Sequence, residues 1–164
     1  MKNISILGAD TKIEVEILDR LHPESIGSWE GDWVKASIAI EIPGYSAAFP
    51  AELRLEELRG FREQIESMNE SLDGEASWVS IDHIIETKAT MDFQGGIYWE
   101  TVTRYPVGSE TALCFTFSAD QSYLAPLIRQ LDEVLEEFPL HERKGNLKTR
   151  FTKFLGKKDG SEKD

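Results

Sequence analysis

The stretch Phe115–Pro139, FTFSADQSYLAPLIRQLDEVLEEFP, decides the fold because strand, helix-start, helix and stop signals follow one another without a gap. Phe115 and Phe117 alternate with Cys114, Thr116 and Ser118, the period of a strand with one apolar face. Asp120 and Ser122 then offer side-chain oxygens for a helix start, with Ser122 expected as the cap. Tyr123, Leu124, Leu127, Ile128, Leu131, Val134, Leu135 and Phe138 return every three or four residues, the apolar stripe of a helix laid on a core. Pro126 fits the first turn of that helix, and Pro139 closes it.

Upstream, the same two periods repeat. Lys12–Asp19 sets Ile13, Val15 and Ile17 against Lys12, Glu14 and Glu16. Val34–Ile42 is the cleanest alternation in the chain, and Pro43-Gly44 turns it into a hairpin with Tyr45–Phe49. Both read as half-buried antiparallel strands. Pro50 is expected to end the fourth strand, and a long helix is expected over Glu52–Leu72, closed by Asp73-Gly74. Its apolar positions are Leu55, Leu58, Phe61, Ile65, Met68 and Leu72, with Gly60 in the interior either packing closely or simply tolerated. Strands follow over Glu75–Ile81, Ile84–Phe93, Ile97–Tyr105 and Glu110–Ser118, with a Gly95-Gly96 hairpin turn. The order ββββα-ββββα suggests two loosely similar halves with no residue-level match. The expected fold is α+β: a curved antiparallel sheet of about eight strands with two long helices packed on one face. Its other face would carry Glu14, Glu16, Lys35, Glu41, Glu86 and Lys88.

The 164 residues fit one domain, residues 1–139, followed by a tail, 140–164. The net charge is −12. It is unevenly placed: residues 1–139 hold 10 basic and 26 acidic side chains, residues 140–164 hold 8 and 4. The tail places Leu147, Phe151, Phe154 and Leu155 on one helical face among lysines and arginines, and reads as a short basic amphipathic helix followed by disorder. The acidic body repels phosphates and anionic lipid, so no nucleic acid is expected through it and no membrane partner, and a basic protein is. The basic tail reads as a solvated, loosely helical segment, with RNA or a membrane surface as its alternative. With one cysteine there is no internal disulfide, and with no apolar leader or membrane-length run the expected location is cytoplasmic.

Catalytic patterns do not appear. His22, His83 and His141 lie in separate segments with no partner at metal-ligand spacing, and read as surface or loop residues. Cys114 is expected to be buried and inert. The glycines form no phosphate-binding loop, and the paired glutamates lie on solvated helix faces. No metal or cofactor is expected. Trp29, in a loop beside Glu30 and Asp32, reads either as an anchor for a protein partner or as a plug at the edge of the core; the other tryptophans read as core.

Several pieces carry a resemblance. They are Gly31-Asp32-Trp33 before an alternating strand, Gly44–Phe49 (GYSAAF), Leu58–Gln64 leading to Leu72-Asp73-Gly74-Glu75-Ala76, and Asp120–Leu124 ending at Phe138-Pro139. In these, residues 8–139 resemble the WapI family of bacterial immunity proteins, and a neighbouring family of uncharacterised bacterial proteins with the same layout. The resemblance implies a non-enzymatic protein that binds and neutralises a toxin domain, often a nuclease. It transfers no site residues and does not extend to the basic tail. Charge complementarity with a basic toxin adds Glu56 and Glu63 on the first helix, and Glu86 on the sheet, to Trp29, Glu30 and Asp32 as expected contact positions. The alternatives are a small acidic binding or regulatory domain with a non-toxin partner, and an enzyme whose cleft spacing does not disclose.

Overall fold

Alternation builds the first half of the molecule. Strands β1 (Lys2–Leu7), β2 (Lys12–Arg20), β3 (Trp33–Ile42) and β4 (Tyr45–Arg54) pair antiparallel in sequence order. They send Ile4, Ile6, Ile13, Val15, Ile17, Ile38 and Ile40 inward, each essentially without solvent contact. Helix α1 (Leu55–Ser71) follows β4 directly. The second half repeats the plan with β5 (Gly74–Val79), β6 (Ile85–Met91), β7 (Gly96–Arg104), β8 (Ala112–Asp120) and helix α2 (Leu124–Glu137). Residues 1–141 are described here, in a computed structural model; the expected tail lies, from residue 142 on, outside the described residues.

The α+β reading holds: eight antiparallel strands and two long helices. The strands are hydrogen-bonded as two four-stranded sheets, β1–β4 and β5–β8, because α1 intervenes between β4 and β5 and those two never pair. One apolar core joins the sheets and both helices. Phe61 of α1 lies against Trp78 and Trp99 at ring-centroid distances of 5.9 and 6.3 Å, and Trp99 stacks on Phe117 at 5.9 Å. The six charged residues expected opposite the core do alternate with its buried positions.

Several boundaries differ from expectation, each for a local reason. Pro50 does not end β4; it sits opposite Ser37 within the ladder. As β4 is an edge strand, a residue without an N–H is tolerated on its open side, and α1 therefore begins at Leu55 rather than Glu52. Phe93 does not continue the apolar face of β6. Asp92 accepts hydrogen bonds from the backbone N–H of Gln94 (2.8 Å) and Gly96 (2.9 Å), which folds the chain there and leaves Phe93 at the turn tip, 92% exposed. Cys114 is exposed rather than buried, because it alternates with the inward-facing Leu113 and Phe115. The turn into α2 is capped by Asp120, whose carboxylate accepts the backbone N–H of Ser122 at 2.8 Å; Ser122 is the donor, not the cap. At the end of α1 the left-handed residue is Leu72 (φ 55°), one step before Asp73-Gly74.

Candidate protein-binding site

Between β2 and β3 the chain makes a short 3-10 turn, Trp29–Asp32. Gly31 is required in it, since a Cβ there would stand 2.1 Å from the Ser25 carbonyl oxygen. Two buried polar groups fix the turn from below. Asp32, 3% exposed, accepts the backbone N–H of His141 at 3.2 Å and pairs with His141 Nδ1. Arg20 donates to the Gly31 carbonyl at 2.7 Å and to the Pro139 carbonyl at 2.8 Å, with its guanidinium 6.0 Å from the centre of the Phe138 ring. The turn is thereby tied to the residues that follow α2.

On top of this base stands Trp29, 44% exposed. It meets Trp33 edge to face at 5.9 Å. The β3–β4 register puts Arg54 opposite Trp33, and the Arg54 guanidinium lies 4.9 Å from the Trp29 ring centre and 6.0 Å from that of Trp33. Arg54 Nη2 is 3.0 Å from Glu56 Oε2. Arg54 Nε is buried without a hydrogen-bond partner, so the two indole faces are its main company. Around the indoles lies a shallow recess lined by Leu21, His22, Glu30 and Glu52. The result is one rigidly supported aromatic side chain with a carboxylate rim of Glu30, Glu52 and Glu56.

Of the expected contact positions, the structure joins Trp29 and Glu56 through Arg54 and sets Glu30 in the recess beside Trp29. Asp32 lies beneath them with its carboxylate engaged. Glu63 is exposed seven residues beyond Glu56, on the same face of α1. Glu86 sits on the outer face of the second sheet, held by Arg104 (2.8 Å) and His83 (2.7 Å). The Arg104 bond, with His83 second, lowers its pKa from the ordinary glutamate value. The sequence reading missed Arg54. The Pro43-Gly44 hairpin fixes the pairing of β3 with β4, and counting back along it puts residue 54 against residue 33; ending the strand at Pro50 hid that.

Catalytic geometry is not what the described residues offer. Each histidine meets a single carboxylate: His22 with Glu24, His83 with Glu86, His141 with Asp32. No cluster of three His, Cys, Asp or Glu suited to a metal occurs among the described residues. A groove of about 600 Å³ between β4 and the β5–β6 loop carries Lys35, Glu52 and Asp82 on walls of Leu18, Ala36, Pro50, Ala51, Ile84 and Val107. No helix among the described residues is long and apolar enough to cross a membrane.

The model of the Immunity protein WapI-like family matches residues 5–139, nearly the whole described chain. The chain belongs to that family. Membership in the WapI-like family gives it an immunity function in general terms and implies a protein partner, generally a toxin. Two solved plant structures are similar to this chain. The plant transcriptional regulator PBF-2 has 11% identity and a TM-score of 0.49, covering 83% of this chain and 81% of its own. WHY3 from Arabidopsis thaliana has 10% identity and a TM-score of 0.47, covering 84% and 88%. Comparison with curated protein sequences finds no significant match.

Proposed function

We propose that this WapI-like protein neutralises a basic toxin domain, a nuclease among the candidates, by docking Trp29 and its carboxylate rim on it. The observation that supports this reading is the state of Trp29. Trp78 and Trp99 are 2% exposed and spent on the core, whereas Trp29 is held at the surface by Trp33 and Arg54. A large, pre-positioned aromatic side chain loses little conformational entropy on binding, which is how an interface anchor earns its affinity. Glu30, Glu52, Glu56 and Glu63 surround or extend it with negative charge, which steers a basic partner and excludes nucleic acid. A nuclease presents such a basic surface where it holds phosphates, and occluding that groove is sufficient for inhibition.

The experiment is to find a gene ending in a toxin domain immediately upstream of this one, co-express the two, and measure binding of the purified pair. Trp29→Ala should abolish rescue of arrested cells. Glu56→Lys combined with Glu63→Lys should slow association, and so should added salt. Association rates indifferent to salt and to both glutamates would remove the electrostatic part. Full rescue by Trp29→Ala would remove the site.

A further inference from the structure

Four strands form sheet edges, and three of them are protected. On β1 the Ser5 N–H donates to Gln130 Oε1 of α2 at 2.8 Å, and on β5 the Ser77 N–H donates to Gln64 Oε1 of α1 at 3.0 Å. On β4 Pro50 removes a donor. Strand β8 has none of these devices. Ala112–Ala119 contains no charge and no proline, and its register with β7 is unbroken from Arg104↔Ala112 to Gly96↔Asp120. Among the described residues its backbone makes no hydrogen bond outside the β7 ladder. Such an edge is a template for another strand.

The core is also open along it. The inward residues of β7, Ile97, Trp99, Thr101 and Thr103, are at most 3% exposed, whereas Leu113 and Phe115 of β8 are only half-buried. Beside them runs a groove of about 270 Å³ walled by Ala47, Phe49, Thr103 and Tyr105. The far end is closed: a Cβ on Gly8 would stand 2.7 Å from the Phe117 ring and 2.8 Å from the Ser118 carbonyl oxygen, so the β1–β2 turn abuts β8 there. The accessible stretch is Ala112–Thr116.

We propose that this stretch pairs antiparallel with the same stretch of a second copy of the chain, about a two-fold axis at Cys114, joining two four-stranded sheets into one of eight. The sequence is self-complementary in that register. Leu113 faces Phe115 of the second copy, twice, covering the residues the monomer leaves half-exposed. Ala112 faces Thr116. On the outer face Val102 neighbours Cys114 within each copy, so the central row reads Val102, Cys114, Cys114, Val102. The flanking row runs Glu100, Thr116, then Ala112 and Arg104 of the second copy. At about 4.8 Å per strand, those opposite charges have backbones roughly 14 Å apart with only two short side chains between them. Glu100 makes no ion pair among the described residues. No like charges meet in this register, although the −12 of each chain opposes association at low salt.

The test is sedimentation velocity of the full chain from low micromolar to several hundred micromolar in physiological salt. The expected species has twice the 18.6 kDa chain mass. Ala112→Lys and Thr116→Lys, both at exposed outward positions, should each raise the dissociation constant about tenfold or more while leaving the circular dichroism unchanged. Mild oxidation should link the dimer through Cys114, as directly opposed residues lie within disulfide reach, and Cys114→Ser should abolish the link. A monomer at every concentration overturns the proposal, and so does a dimer indifferent to both lysines. A monomer whose lysine variants lose toxin capture overturns it as well, and assigns the edge to the toxin.

Discussion

Arg62 Nε donates to Asp132 Oδ1 at 2.7 Å, and this bond ties the helix of one half to the helix of the other. Arg62 is engaged by Glu66 on its own helix as well. Both partners of the inter-helix pair are partly exposed, with side chains 23% and 44% accessible, so solvent screens it. Asp132→Ala should cost about 0.5–1 kcal/mol in urea unfolding. Once Arg62 is already alanine, the same change should cost less. Equal costs in both backgrounds would show the pair contributes nothing.

Gly60 is a second site with a signed expectation. It lies inside α1, and a Cβ placed there would have nothing within 4 Å. Close packing is therefore not its reason, and Gly60→Ala should stabilise the fold by about 1 kcal/mol through helix propensity. Loss of stability in thermal unfolding would contradict the open space seen around it.

Glu57 sets a pH dependence. Burial is the main cause that raises its pKa above the ordinary glutamate value, against the Ile81 N–H that its Oε1 accepts at 3.1 Å. Its Oε2 and the Trp78 Nε1 are both buried without a hydrogen-bond partner. A raised pKa in the folded state means the folded chain holds the proton more tightly. The stability from this group is then present below the ordinary value and lost as pH rises through the raised one. Glu57→Gln keeps the acceptor for Ile81 and removes the charge, so it should be more stable than the parent at neutral pH. That advantage should shrink on acidification. Glu86 and Asp120, whose pKa values are lowered, act in the opposite sense in both proteins and cancel in the difference. A difference independent of pH would show Glu57 is not strained.

The tryptophans should separate stability from recognition. Trp78→Ala empties a site 2% exposed and should cost about 3–5 kcal/mol. Trp29→Ala removes a surface ring and its stacking on Arg54, a loss of about 0.5–1 kcal/mol. Denaturant midpoints of the two variants check this, and a large loss at Trp29 would make it a core residue instead.

The strands were legible because each is half-buried, so period two survives in the residue types. The run Val34–Ile42 needed nothing further. What could not be read is which strands are edges, since that depends on pairing: Pro50 looks like a stop until β4 is known to be an edge. Phe93 counts as apolar wherever it stands, and only the Asp92 turn puts it in solvent. At the candidate site Trp29 was legible as a tryptophan among acidic loop residues. Asp32 looked like its neighbour Glu30, yet its partner His141 is 109 positions away, and no local pattern carries that distance.

The two glutamines that protect sheet edges are exchanged between halves. Gln64 of the first half serves β5, and Gln130 of the second serves β1. Ser5 is therefore left with an open edge until a residue 125 positions later arrives. A ribosome-bound chain released before Gln130 has a first sheet with no cover for its opening strand. Strand pairing within each sheet is sequential and local, so the late step is the docking of α2 on β1, and the cell's protection begins only when nearly all of the domain has been synthesised.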